Sequence, residues 1–250
     1  LCFSAFKAPN ASKGTIKRSV LLLFGAAMII RLFAAGLSGG FDNDTACFAA
    51  WADRIFQVGP GQFYSADFFT DYPPGYMYLL YPVGALRSLL HISYYSTAHL
   101  LLLRLPAILC DLGCGFLLFR TARRYMGGRN SSFLCAAYLF NPAVILNSSV
   151  WGQVDSVYTL LLLVMCLSLT KKRTLPAFLS FCAGILIKPQ MLVYAPVLFV
   201  GICDSVFSDG FSLKKLFQNI SYGLLSLLAV LLLVLPFGIG NVLSQYLNTL

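Results

Sequence analysis

The side chains best suited to chemistry in this sequence are aspartates concentrated in one stretch. Five of the nine acidic residues fall between residues 40 and 81, which is also the only long interval between strongly apolar segments. They are Asp42, Asp44, Asp53, Asp67 and Asp71. A carboxylate within reach of a hydroxyl can take its proton as the oxygen attacks. We therefore take this stretch as the candidate catalytic region.

Asp42 and Asp44 are separated by one residue at the start of a predicted helix. Two neighbouring carboxylates repel each other when both are ionised, an arrangement that suits one of them for general-base work. The alternative is that they only cap the helix, since Asp is favoured at helix N-termini. Asp71 has the same alternative, because Pro73 and Pro74 are typical of a helix start that Asp71 would cap.

Ionisable side chains also interrupt the apolar segments, at Arg104, Asp111 and Lys188. A charged group inside a bilayer costs about 2.5–3.5 kcal/mol on insertion scales, so such groups are usually paired or functional. Arg104 and Asp111 are seven residues apart on one helix face, and the alternative to a functional role is a mutual ion pair. For Lys188 the alternative is a side chain that extends to the membrane surface. Pro189 is expected to break the helix there, leaving backbone groups that need a polar cavity.

A third set of candidate residues lies in and just after the loop that ends at Gly152. Gln153 and Asp155 follow this loop, and Trp151 lies within it. Trp151 is suited to stacking on a sugar ring, although a place in the aromatic belt of a membrane protein is the alternative.

The composition indicates that lipid surrounds the elements that position these residues. The chain has 250 residues, of which 58% are hydrophobic and 11% charged, and its mean hydropathy is +0.78. A soluble domain of this length could not bury so much apolar surface, and the apolar runs lack the alternation of strands. The net charge of +9 comes from Lys and Arg in short clusters between apolar runs, which favours cytoplasmic anchoring over nucleic-acid binding.

The apolar runs predict an all-α polytopic membrane protein with about seven transmembrane helices, the first of which is interrupted by Arg31. The predicted spans are residues 19–38, 97–119, 131–147, 153–170, 175–188, 190–206 and 217–238. Basic residues before the first span predict a cytoplasmic N-terminus, so residues 39–96 form the first external loop. Within it, residues 44–58 and 73–90 are predicted as two helices that lie along the membrane surface. We interpret residues 1–250 as a single membrane-embedded module.

Six short motifs in order give the chain a family resemblance. They are Asp44 followed by Trp51, Asp71-Tyr-Pro-Pro74, Arg104-x-Pro106 followed by Asp111, Phe140-Asn-Pro142, Trp151-Gly-Gln-Val-Asp155 and Lys188-Pro-Gln190. This arrangement, over roughly residues 20–200, resembles the membrane-embedded GT-C glycosyltransferases. It is most similar to bacterial multi-pass mannosyltransferases related to the GPI-anchor enzymes. More distantly, it resembles the glucosyltransferases that extend lipid-linked oligosaccharides.

The resemblance implies a GT-C type module of about seven membrane helices with two interfacial helices in the first external loop. It implies transfer of a hexose, with mannose as the family-level expectation, from a polyprenyl-phosphate donor to an acceptor hydroxyl with inversion. On its spacing to Trp51, Asp44 is the implied base, and Asp71 supports the site. The other residues implied to bind substrate are Asp42, Trp51, Tyr72, Arg104, Trp151, Gln153, Asp155, Lys188 and Gln190.

The expected partners are the lipid-linked sugar donor, a lipid or glycan acceptor and membrane lipids, without nucleic acid. We expect no metal site and no cofactor, because no His or Glu completes a ligand set around Asp42 and Asp44. The expected location is the cell membrane, with the active site outside. Family members normally carry further C-terminal spans, so a C-terminally truncated module is one expectation. Two other functions stay open: a transporter or flippase of lipid-linked sugars, and a structural or assembly protein of the membrane.

Overall fold

The computed structural model describes residues 13–208 and 210–249, and most of them are helical. Within these ranges the α-helices are α1 Lys13–Leu37, α2 Asp42–Val58, α3 Pro74–Leu89, α4 Thr97–Ala122, α5 Gly128–Leu139, α6 Pro142–Ile145, α7 Asp155–Leu169, α8 Thr174–Ile187, α9 Ala195–Phe207, α10 Leu213–Val234 and α11 Ile239–Thr249. A π-helix, Leu146–Trp151, follows α6, and a 3₁₀-helix, Pro189–Tyr194, precedes α9.

Several of these helices are long and apolar enough to cross a membrane. In the described residues there are four, Arg18–Leu37, Thr97–Ala122, Pro189–Phe207 and Leu213–Phe237, or five if the bent pair Gly128–Leu139 and Pro142–Trp151 forms one span. The prediction of an all-α polytopic membrane protein is therefore confirmed. The apolar helices α7 and α8 have 15 and 14 residues, fewer than the roughly 20 that a perpendicular crossing needs. The number seven stays a prediction.

The predicted span 131–147 is not one straight helix. α5 ends at Leu139, and the chain restarts at Pro142 with a bend of 48°. Proline lacks the backbone N–H and disfavours helical dihedrals at the residue before it. Asn141 is accordingly extended, and its side chain accepts a hydrogen bond of 2.9 Å from the Ala143 N–H. The Phe140-Asn-Pro142 motif thus ends one helix and starts the next.

The chain divides into two compact units, and each is described separately. The first unit comprises residues 1–45 and 93–156, and it contains α1, α4, α5 and α6 with the π-helix. Its buried core is formed by Ala27, Phe119, Cys135 and Leu139. α4 and α5 approach closely because Gly115 faces Leu139, where an added Cβ would stand 2.7 Å from the leucine side chain.

The second unit comprises residues 46–92 and 157–250. In this unit α3 approaches the backbone of α2 closely at Gly84, where an added Cβ would lie 1.9 Å from the Ala52 carbonyl oxygen. The same pair of helices is joined by a bidentate ion pair of 2.6 Å between Arg87 and Asp53. α2 and α3 match the helices predicted at 44–58 and 73–90 within two residues, and their place at the membrane surface stays a prediction.

The core of the second unit lies among α7, α8, the 3₁₀-helix and α9. Its buried members are Met165, Ala177, Phe181, Met191 and Leu198. The Met191 side chain packs against Gly184, where an added Cβ would stand only 2.7 Å from it. Packing therefore fixes the end of α8 against the segment that follows it, next to the predicted site residue Lys188.

Candidate active site

The carboxylate of Asp44 is held by two donors from one turn of the first unit. Its Oδ2 accepts a hydrogen bond of 2.9 Å from the Trp151 indole N–H and a second one from the Gln153 side-chain amide. Oδ1 receives no hydrogen bond from the described residues. Asp44 is half-buried and lies in the first turn of α2. Its carboxylate is therefore oriented by Trp151 and Gln153, and the interpretation of Asp44 as only a helix cap is wrong.

The turn that carries both donors depends on a glycine. Gly152 separates Trp151 from Gln153 and has a left-handed backbone with φ 89°, which glycine adopts without a steric penalty. The N–H groups of Gly152 and Gln153 both donate to the Asn147 carbonyl oxygen, at 3.0 and 2.9 Å. The Asn147 amide donates in turn to Asp155 at 3.1 Å. Asp155, a predicted substrate-binding residue, thus helps to close this turn.

Arg104 lies beside the same turn and is 2% exposed. Its Nη1 donates to the carbonyl oxygens of Ala35 and Ser38, the latter at 2.9 Å. A Cβ on Gly152 would stand 3.3 Å from the Arg104 Nε, and one on Gly40 would stand 2.6 Å from Nη2. The guanidinium therefore fastens the end of α1 and packs under the turn that holds Asp44. Its Nη2 is buried and has no hydrogen-bond partner among the described residues.

The predicted alternative of an ion pair between Arg104 and Asp111 is wrong. Seven residues correspond to about 10.5 Å along a helix, and each group has a nearer partner. Asp111 pairs with Arg31 of α1, whose Nε lies 3.1 Å from Oδ2. Arg31 also donates to the Leu139 carbonyl oxygen at 2.8 Å. α1, α4 and α5 are joined by this buried pair.

Asp111 also fixes both ends of the turn that carries Trp151 and Gln153. Its Oδ2 accepts from the Ser148 hydroxyl at 2.6 Å, and its Oδ1 accepts from the Ser156 hydroxyl at 2.5 Å. Both serines are buried. A weaker contact of 3.4 Å comes from the Tyr138 hydroxyl. Asp111 therefore acts on the site through the turn 148–156, without touching Asp44.

The remaining predicted residue of the first unit is Asp42, which is exposed in the first turn of α2. Trp151 is 49% exposed, and its ring packs at 5.7 Å against the ring of Phe41, which precedes α2. The Trp151 ring thus lies beside the Asp44 carboxylate with half of its surface free to contact another molecule. Its predicted contact with a sugar stays a prediction.

The second unit contains the other predicted residues, beginning with Trp51. Trp51 is 2% exposed, and its indole N–H donates to the Phe69 carbonyl oxygen at 2.9 Å. Its ring packs against that of Tyr72, with centroids 5.4 Å apart. The Tyr72 carbonyl oxygen accepts from the Tyr64 hydroxyl at 2.8 Å. Trp51 therefore has a packing position in which it supports the loop that bears Asp71 and Tyr72.

The predicted break at Lys188 is confirmed. α8 ends at Ile187, Lys188 is extended, and Pro189 begins a 3₁₀-helix. The Lys188 ammonium lies 5.9 Å from the centroid of the Tyr72 ring, a distance at which a cation is attracted by an aromatic face. Gln190 is exposed in the next turn. Lys188 and Gln190 thus project from a point where the helix is interrupted.

The second unit brings the Asp71-Tyr72 motif next to Lys188. α3 begins at Pro74, and its N-cap position is occupied by an extended Pro73. Capping of α3 by Asp71 stays an alternative. A Cβ on Gly75 would stand 2.5 Å from the Leu186 carbonyl oxygen, so glycine permits the start of α3 to reach the end of α8. Asp71 itself is exposed. These contacts bring the motif that contains Asp71 and the motif that contains Lys188 into one region of the second unit.

Sequence reasoning missed the residues that position the Asp44 donors. Arg31, Ser148 and Ser156 all contact Asp111, and none was predicted as a site residue. One signal was present in the sequence, because an arginine in the first apolar span requires a buried partner and Asp111 was a candidate. The two serines carried no comparable signal, since small polar residues are common in membrane helices.

Comparison with known proteins identifies the family. The family model described as the ALG6, ALG8 glycosyltransferase family matches residues 65–250, about three quarters of the chain. No curated protein matches the chain. The match includes Asp71, Arg104, Trp151, Gln153 and Lys188, whereas Asp44 precedes it. Because this model matches most of the chain and several helices are long enough to span a membrane, the chain belongs to the ALG6, ALG8 glycosyltransferase family and is a membrane glycosyltransferase.

Proposed function

We propose that this glycosyltransferase moves a hexose from a polyprenyl-phosphate donor to an acceptor hydroxyl on the external face of the membrane, with inversion. Membership of the ALG6, ALG8 family supports transfer of a sugar in a membrane. A lipid-linked donor accounts for a polar site on membrane helices, since its phosphate lies at the bilayer surface. Mannose is the first candidate sugar from the motif resemblance, and glucose is the second.

The observation that carries the proposal is the geometry of Asp44. Both hydrogen bonds to its carboxylate go to Oδ2, from Trp151 and Gln153. Oδ1 is therefore left to accept a proton from a substrate, while the two donors prevent the carboxylate from rotating. A general base must be within hydrogen-bond reach of the proton that it removes, and orientation is a large part of its effect. We assign Asp44 as this base.

The proposed reaction is a single displacement at the anomeric carbon. Oδ1 of Asp44 takes the proton of the acceptor hydroxyl while that oxygen forms a bond to the anomeric carbon of the donor sugar. The bond between this carbon and the phosphate oxygen breaks, and polyprenyl phosphate leaves with the bonding pair. Attack opposite to the leaving group inverts the anomeric centre.

The departing phosphate needs a cation, and we propose Lys188 for this role. Its ammonium projects where α8 is interrupted, and Tyr72 and Gln190 lie beside it in the second unit. A cation at a developing phosphate charge lowers the barrier more than an uncharged donor does. Asp71 is proposed to support this region. Arg104, whose Nη1 binds two carbonyl groups, is better placed to fix the turn under Asp44 than to move.

The function is tested by offering radiolabelled polyprenyl-phosphate-mannose and polyprenyl-phosphate-glucose to membranes that contain the protein, together with total cell lipid and protein. We expect label to move from one donor to an acceptor in the wild type. The anomeric configuration of the product, read by NMR or by linkage-specific glycosidases, should be inverted relative to the donor. Retention of configuration would contradict the single displacement. If label moved from a soluble nucleotide sugar but from neither lipid-linked donor, the proposal of a polyprenyl-phosphate donor would be overturned.

A further inference from the structure

The second unit has a pocket of about 420 Å³ that none of the predicted site residues lines. It lies where α8 and α10 begin, among Lys172, Arg173, Thr174, Lys215, Gln218 and Tyr222. Lys188 follows the opposite end of α8, on the order of 20 Å away at 1.5 Å per residue. The pocket volume is in the range of about 300–1,000 Å³ that small-molecule sites have. It is therefore a second site, separate from the proposed catalytic residues.

The lining of this pocket is basic. Lys172, Arg173 and Lys215 contribute three cations, and two more lysines, Lys171 and Lys214, flank them in the sequence. The nearest acidic residues in the sequence are Asp204, in α9, and Asp209, so the five cations outnumber the acids. A group of cations around a cavity of this size favours an anion with several acceptor oxygens.

The backbone adds to this preference. α8 and α10 have 14 and 22 residues, and residues of their first turns line the pocket, near the positive ends of the helix dipoles. At α10 the Ser212 side chain accepts a hydrogen bond from the Lys215 N–H. Arg173, at the N-cap of α8, makes no side-chain capping bond to that helix. Gln218 donates to the Tyr222 hydroxyl at 2.7 Å, which places an amide and a hydroxyl on the wall of the pocket. Cations, helix N-termini and uncharged donors together match the oxygens of a phosphate group.

The position of the pocket relates this anion to the membrane. α10 belongs to a segment long and apolar enough to span a bilayer, and Lys215, Gln218 and Tyr222 of its first three turns line the pocket. A basic cavity at the end of membrane helices is where a lipid headgroup is within reach. We propose that this pocket binds a phosphate group, presented by the headgroup of an anionic phospholipid or as free phosphate.

The test compares two double variants with the same change in charge. Arg173→Gln with Lys215→Gln removes two cations that line the pocket, whereas Lys171→Gln with Lys214→Gln removes two neighbouring cations that do not line it. Each protein is purified in detergent, checked by gel filtration, and titrated with short-chain phosphatidylglycerol while bound lipid is counted by native mass spectrometry. At about 1 kcal/mol per basic residue near the surface, the pocket variant should bind roughly 30-fold more weakly. The control variant should bind within about threefold of the wild type.

A third variant and two competitors make the outcome decisive. Tyr222→Phe removes one hydroxyl without changing the charge, and it should weaken binding if the pocket is the site. Inorganic phosphate that displaces the lipid at millimolar concentration would identify free phosphate as a second source of the ligand. Short-chain phosphatidylcholine, whose headgroup has no net charge, should compete poorly. Equal weakening in both double variants, or no saturable binding of either phosphatidylglycerol or phosphate to the wild type, would overturn the proposal.

Discussion

At the level of single residues, the proposed chemistry depends on Asp44 and on the two side chains that hold it, Trp151 and Gln153. Asp44, Trp151 and Gln153 were each predicted as site residues from their types and from the motif resemblance. Their mutual contact could not be predicted, because Trp151 and Gln153 follow Asp44 by 107 and 109 residues in the sequence. The left-handed Gly152 between the two donors was equally unpredictable, since a glycine in a loop fits many conformations.

The first prediction concerns Gln153. Gln153→Ala removes one of the two donors to Asp44 and leaves Trp151 alone to orient the carboxylate. A hydrogen bond to a charged group contributes about 1.5–3 kcal/mol, so we expect the transfer rate to fall roughly 10- to 100-fold. The rate is measured at saturating donor. Gln57→Ala, at an exposed glutamine of α2, is the matched control and should transfer at the wild-type rate. A wild-type rate in Gln153→Ala would show that this donor does not position the base.

At the scale of elements, buried polar contacts decide how the helices of the first unit meet. The sequence indicated that a charge inside an apolar helix needs a partner, but it did not indicate which one. Arg31 and Asp111 belong to different helices, and a pairing within α4 was the more evident alternative. Helix bounds were easier to predict at Pro74 and Pro189, which stand at a helix start and at a helix break.

The second prediction tests the buried pair. Arg31→Met leaves the Asp111 carboxylate buried without its cation, and breaking a buried pair typically costs about 3–5 kcal/mol. We expect a marked loss of stability in detergent, measured as the temperature of half-unfolding. The double variant Arg31→Met with Asp111→Leu removes both charges and should recover part of the loss. Arg129→Met, at an exposed arginine of α5, is the control. Equal stability of Arg31→Met and Arg129→Met would refute a structural role for the pair.

The third prediction concerns the contact between α2 and α3 in the second unit. Gly84→Ala places a methyl group 1.9 Å from the Ala52 carbonyl oxygen, so the two helices must move apart. Overpacking of this kind costs about 1–3 kcal/mol, and the unfolding temperature should fall by several degrees. Gly25→Ala in α1 meets no atom within 4 Å and serves as the control, with stability unchanged or slightly raised. An equal response of the two variants would show that the close approach is absent in solution.

At the scale of the whole molecule, composition and charge predicted the fold class. Apolar runs without alternation predicted membrane helices, and the described helices and the family match agree with this interpretation. The number of spans was less predictable. α7 and α8 are apolar but short, and the bend at Asn141 and Pro142 divides a run that reads as continuous in the sequence. Hydropathy reports which residues avoid water, but it does not report where a helix bends.

The fourth prediction tests the orientation derived from the basic clusters. A cysteine at Gln62 is expected outside and one at Arg124 inside, because the cluster Arg120–Arg129 is predicted to be cytoplasmic. A membrane-impermeant maleimide applied to intact cells should label Gln62→Cys and should label Arg124→Cys only after permeabilisation. Wild-type protein, labelled in parallel, gives the background from the native cysteines. The reverse pattern would place the first loop on the cytoplasmic side and contradict the proposed external site.

The sharpest test of Asp44 as the general base is the rate of hexose transfer by Asp44→Asn at saturating donor, beside Asp42→Asn. Both substitutions remove one negative charge from the first turn of α2, but only Asp44 accepts the hydrogen bonds of Trp151 and Gln153. Asparagine cannot take the proton of the acceptor hydroxyl, and general-base catalysis contributes about 10²–10⁴-fold. We therefore predict a loss of at least 100-fold in Asp44→Asn, with donor binding retained, and a much smaller change in Asp42→Asn. A wild-type rate in Asp44→Asn, or equal losses in the two variants, would contradict the assignment of Asp44 as the base.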